Sequence, residues 1–114
     1  MEGTNPVLDR LQAAWVLAEQ KLKDIRCPAP TDLVIGQAND GDDVLSFRKH
    51  AGTWRIVLLF DDQWRPVSDC PVVIRVELIK HFAALEAAVK ENFEKQMKLI
   101  DEATEAFEQQ LIQS

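Results

Sequence analysis

From Val72 to Ser114 the chain contains neither glycine nor proline, and that continuity limits what its C-terminal part can become. The segment is rich in Ala, Glu, Lys, Gln and Leu, all strong helix formers. Phe82, Leu85, Val89, Phe93, Ile100, Ala103, Phe107 and Leu111 fall on one helical face, with Gln96 the single polar interruption. At about 1.5 Å per residue, such a helix outruns the core of so short a chain. Residues 94–114 are therefore expected to overhang a domain spanning 1–114. Phe93, Ile100, Phe107 and Leu111 are the candidate interface residues, because an overhanging apolar stripe invites a partner. The competing expectation is that the tail folds back on the first helix or frays. Asp101, Glu102, Glu105 and Glu108 follow Lys98 with no later base, which opposes the helix dipole.

Upstream, the same stripe extends through Ile74 and Leu78, with Ser68 or Asp69 as cap and Pro71 in the tolerated first turn. Val72, Ile74, Val76 and Leu78 also alternate with Val73, Arg75, Glu77 and Ile79, as a strand would. The helix is preferred because its stripe runs without a break into the segment beyond; the strand stays open. At the other end, Asn5 caps and Pro6 opens a helix. Leu8, Leu11, Trp15, Ala18, Leu22 and Ile25 form its seam, Arg26 suits its C-terminal dipole, and Cys27-Pro28-Ala29-Pro30 stops it.

The middle reads as antiparallel sheet. Leu33–Ile35 is a short strand, Asn39-Asp40-Gly41-Asp42-Asp43 a turn, and Val44–His50 and Trp54–Phe60 the stronger strands. Apolar alternation pairs Leu45 with Leu58 and Phe47 with Ile56, which requires an even loop such as Ala51-Gly52. Leu45, Phe47, Trp54, Ile56, Leu58 and Phe60 then share the core face. Val44, Ser46, Arg48, His50, Arg55, Val57 and Leu59 share the other, mixed enough to suggest partial cover by a second subunit. Asp61-Asp62-Gln63 turns the chain into a short edge strand, Trp64–Val67, ended by Pro66. The fold class is thus α+β: an N-terminal helix, a small antiparallel sheet of three to four strands, and a long C-terminal helical region.

Charge narrows the partners. A net charge of −6 argues against generic nucleic-acid binding, which draws on Lys and Arg, and against an anionic membrane surface. No apolar run approaches the roughly 20 residues of a bilayer span, and the N-terminus lacks the features of a signal peptide. The expected compartment is the cytoplasm, with Cys27 and Cys70 as free thiols.

No catalytic or cofactor motif emerges. Placing Gly41 at the sixth position of a calcium loop puts Gly36, Ala38 and Phe47 where ligands belong. Cys27, Cys70, His50 and His81 lack the paired spacing of a zinc site, and the four glycines build no phosphate cradle. Cys70 has the type of a nucleophile, but a buried structural thiol is the ordinary role. No cofactor is expected. One local anomaly stands out. Residues 44–60 hold Arg48, Lys49 and Arg55 and no acid, and the register places Arg48 directly opposite Arg55. Facing cations repel, so Arg48, His50 and Arg55 are candidates for binding a small anion, with the acidic tail as the alternative neutraliser and solvated, splayed side chains as the plain one. The leading expectation is a non-enzymatic interaction protein, a homo-oligomer or adaptor. An anion-binding domain stands second and a cysteine-dependent enzyme third.

Overall fold

The computed structural model describes residues 5–38 and 41–113. Helix α1, Pro6–Lys23, begins where Asn5 accepts the amide hydrogens of Val7 and Leu8 through its side chain and Pro6 takes the first helical position. Four antiparallel strands follow in sequence order: β1 Thr31–Ala38, β2 Gly41–His50, β3 Thr53–Phe60 and β4 Gln63–Pro66. A 3₁₀ turn at Val67–Asp69 leads into α2, Val72–Leu78; a second at Ile79–His81 joins it to α3, Phe82–Gln113. The long C-terminal helical region is therefore present, and 72–79 is helical.

The register of the central hairpin is the one that apolar alternation requires. Leu45 pairs with Leu58, Phe47 with Ile56 and His50 with Thr53. The two-residue connection has Ala51 at φ 53° and Gly52 at φ 85°, and both central positions of such a turn need the left-handed region to match strand twist. Asp61 and Asp62, at φ 52° and 62°, make the same kind of turn between Phe60 and Gln63, which pair. Leu45, Phe47, Ile56 and Leu58 then project into a core with Trp15 and Leu22 of α1, Val67, Cys70, Leu78, and Leu85 and Val89 of α3. Both helices thus cover one face of the sheet. Asn92 fastens α3 to the start of β1, donating to Thr31 Oγ1 at 2.9 Å and to the Pro30 carbonyl at 3.2 Å.

Several local expectations give way to the geometry. Helix α1 ends at Lys23, short of Arg26, because Arg26 turns left-handed at φ 61° and donates its amide back to Lys23. Strand β1 is longer than Leu33–Ile35, since a bulge between Val34 and Gly36 lets pairing continue to Ala38. Asp42 and Asp43 lie in β2 opposite Gln37 and Gly36; Asn39 and Asp40 of the anticipated acidic turn lie outside the described residues. Pro71, not Ser68 or Asp69, occupies the N-cap of α2, with no side-chain cap. Phe60 alternates onto the core face but sits at the hairpin tip, 46 % exposed.

Arg26 and Ala51 hold a conformation that costs an L-residue about 1–2 kcal/mol. Arg26→Gly and Ala51→Asn are each expected to raise stability by about 0.5–1 kcal/mol. The readout is the urea midpoint at unchanged slope; a lower midpoint for both would contradict the left-handed assignment.

Candidate functional site

The basic hairpin is built as the register implies: Arg48 and Arg55 are directly opposed. Each is met by a carboxylate from its own chain. Arg55 Nε donates to Glu19 Oε2 of α1 at 2.9 Å and its Nη2 to Ser68 Oγ at 2.7 Å. The same Glu19 oxygen accepts the backbone amide of Ile56 at 2.9 Å, just beyond the stretch of β3 paired with β4. One carboxylate thus neutralises a cation and closes an open sheet edge, and charge-assisted bonds of this kind are the strong ones.

Arg48 reaches the opposite way. Its Nη2 lies 3.0 Å and 3.3 Å from the two Asp32 carboxylate oxygens on β1, and its Nε donates to Ser46 Oγ at 3.1 Å. The guanidinium stands over the Trp64 ring of β4 at 4.1 Å from the centroid, a cation–π contact. Ser46 donates to Asp32 Oδ1 at 2.6 Å. One side chain therefore links β1, β2 and β4 across this face. Ser46 and Val57, on the strands between, are fully buried. His50 is half-buried at the end of β2. An open depression of about 480 Å³ takes in Arg48 and Lys49 with Pro28, Pro30 and Trp54, and neither His50 nor Arg55 lines it. Arg55 lines a separate crevice of about 40 Å³ with Glu19 and Ser68. Neither of these two cavities brings the three candidate anion ligands together.

The thiols are interior. Cys27 and Cys70 are buried and unlinked, donating to the carbonyls of Ala29 and Pro66. Burial pushes the Cys70 thiol up; nearby Asp69 adds to this, and Arg65 and Arg75 oppose it. A raised thiol is the reverse of what a nucleophile needs at neutral pH. His81 is half-buried in the 3₁₀ turn before α3. Among the described residues no three His, Cys, Asp or Glu side chains cluster as a metal site, and no helix is long and apolar enough to cross a membrane.

The helical surfaces carry the larger anomaly. Phe93 is half-buried and packed against the core. From Met97 to Gln113 every residue is exposed, although the core-facing stripe continues along Ile100, Phe107 and Leu111, which are 48 %, 57 % and 58 % exposed. The molecule is accordingly long: its radius of gyration is 17.9 Å and its longest extent 69 Å, where a compact chain of this length would have a radius near 13 Å.

A second apolar feature lies on the outer side of the helices. Leu11, Ala14, Trp15 and Ala18 of α1 and Ile79, Phe82 and Ala83 of the α2–α3 segment enclose a groove of about 310 Å³. Gln12 accepts from Arg75 Nη1 at 2.9 Å, and Lys21 Nζ lies 3.3 Å from Glu86 Oε2. The partners advance together along both segments, so α1 and α2–α3 run parallel beside the groove. Val7, Leu17, Val73, Val76 and Ile79 add exposed apolar surface on the same two segments.

Glu19, Asp32 and the groove were not legible as site features. The apolar positions Val7, Ala14 and Leu17 beside the α1 seam were the available sign of the groove, since they widen that helix's apolar arc. For the two acids no short-range pattern exists, because each meets its arginine across tertiary structure.

Glu19→Ala is expected to cost about 2–3 kcal/mol, since it strands a half-buried guanidinium and an edge amide. Asp32→Ala should cost under about 1 kcal/mol, since its carboxylate is half in water. Equal losses in urea titrations would overturn this ranking. For Cys70, the folded pKa lies above the ordinary value of 9.0. Its contribution is therefore intact below about pH 9 and is lost as pH rises through the folded value, because only the unfolded thiol ionises first. Stability should fall above pH 9 less steeply in Cys70→Ala than in the parent; identical slopes would refute the burial effect.

Compared with known proteins, the chain matches no family model, no curated protein and no solved structure.

Proposed function

We propose that this domain is a non-enzymatic protein-interaction module that self-associates through its helical surfaces. The observation that carries the reading is the uncovered continuation of the α3 stripe. Ile100 and Phe107 recur at helical spacing with 48 % and 57 % of their surface in water, on the face that packs Leu85 and Val89 into the core. Burying an aliphatic or aromatic side chain is worth about 1.5–3 kcal/mol relative to leaving it exposed. A contiguous row of them is a standing drive toward a partner, where a scattered few would mean nothing.

The other features agree with a binding role. The opposed arginines have internal acid partners, so their repulsion calls for no ligand. The interior thiols suit a reducing compartment such as the cytoplasm, and their burial gives them no reactive part. The negative net charge favours a protein partner over nucleic acid or an anionic bilayer.

Light scattering across a wide concentration range tests this. The mass should rise from 12.9 kDa toward a multiple in the micromolar range. Ile100→Glu with Phe107→Glu should hold it at the monomer mass while the melting of the body stays unchanged. A parent that scatters as a monomer at every concentration would refute self-association; global unfolding of the double variant would assign those residues to the core.

A further inference from the structure

We infer that the occupant of the α1/α3 groove is the tail, residues 97–113, of a second copy of this chain, so that two copies exchange tails reciprocally. The inference rests on the self-association proposed above and specifies its geometry.

Two apolar surfaces on one molecule lack cover: the stripe along the tail and the groove between α1 and the α2–α3 segment. They are matched in size over part of the tail. The α1 wall of the groove, Leu11 to Ala18, is about 12 Å long, and Ile100 and Phe107 stand about 10 Å apart along the tail. A helix laid between two parallel helices places its knobs in the trough they form. Ala14, Ala18 and Ala83 leave that trough open for side chains the size of Ile100 and Phe107.

They are also matched in charge. The tail carries Asp101, Glu102, Glu105 and Glu108 and no base after Lys98. Asp101 and Glu108 each directly follow a stripe residue, Ile100 and Phe107, and so flank the apolar face. Around the groove the sign reverses. Arg10 lies four residues before Ala14, and Lys21 three after Ala18, both on the groove side of α1. Arg75 bonds to the neutral Gln12, and its Nε is buried with no acceptor among the described residues. Lys90 stands two turns beyond Ala83 and shares Glu86 with Lys21. Four cations thus stand along the two segments beside the groove, where Lys21 and Lys90 share Glu86 and Glu77 is taken up by Lys80.

The alternatives on the same molecule are weaker. A tail cannot reach its own groove, because α3 is one uninterrupted helix whose first turn already lines that groove while its last turns point away from it. Pairing tail with tail sets four acids against four acids, with Lys98 the single base that each tail supplies. Exchange between two copies removes both difficulties, and a two-fold pair is closed, so it buries all four surfaces and stops at two.

A mixing experiment separates the cases. The tail variant Ile100→Glu/Phe107→Glu keeps its groove. The groove variant Ala14→Glu/Ala83→Glu keeps its tail, and both altered alanines are exposed. Each variant alone should be monomeric by light scattering at concentrations where the parent is dimeric. Their mixture should form a 1:1 complex, because one sound tail meets one sound groove. Self-association of the groove variant with parental affinity would overturn the exchange while leaving self-association intact; a monomeric parent would overturn both. Should the groove variant fail to fold, charge reversal replaces it. Arg10→Glu/Lys21→Glu should weaken the dimer at least ten-fold, and Asp101→Lys/Glu108→Lys in the other copy should restore it. Absence of rescue would contradict the pairing of this tail with this groove.

Discussion

A helix kinks sharply only where something interrupts its hydrogen bonds, and α3 runs as one continuous helix from Phe82 to Gln113. The first turns of α3 are fixed by Leu85 and Val89 in the core and by Asn92 on the start of β1. Those anchors set the direction of everything after them. The tail leaves the body as a rod, and the apolar stripe that built the core leaves with it. Among the described residues, 97–113 are all exposed. Helical propensity alone does not hold such a segment together in water, since isolated helices of this length are marginal.

Charge is distributed with the same economy. The positive hairpin is neutralised within the fold: Glu19 holds Arg55 and the bare edge of β3, and Asp32 holds Arg48 above Ser46 and Val57. Lys21 and Lys90 share one acid, Glu86, beside the α1/α3 groove, and the tail carries four acids with no base after Lys98. That polarity separates the parts of the molecule that are self-sufficient from those that are not.

Much of the architecture was legible in the sequence because it follows from period and turn chemistry. The Leu45–Leu58 register could be read because one face of the hairpin is buried, which makes a slip of one residue costly. The α1 start could be read from Asn5-Pro6, and the helicity of 72–78 from a stripe continuous with Leu85 and Val89. What stayed hidden was tertiary. Glu19 lies 36 residues from Arg55 in sequence, and nothing local marks it as that arginine's partner. Arg26 and Ala51 adopt left-handed backbone that their side chains do not advertise. Of the candidate interface, Phe93 was read from periodicity together with Ile100 and Phe107. Only the position of β1 and Asn92 along α3 decides that Phe93 packs against the core and that the other two do not.

Hydrogen exchange of the backbone amides in residues 97–113, followed against protein concentration, bears most directly on the unsupported stripe. In dilute solution these amides should exchange nearly as fast as those of a fraying helix, while Leu85 and Val89 stay protected. As concentration rises through the micromolar range, protection of the tail should grow in step with the scattered mass. Tail protection equal at all concentrations, with the mass fixed at 12.9 kDa, would contradict the claim that a second molecule covers this helix.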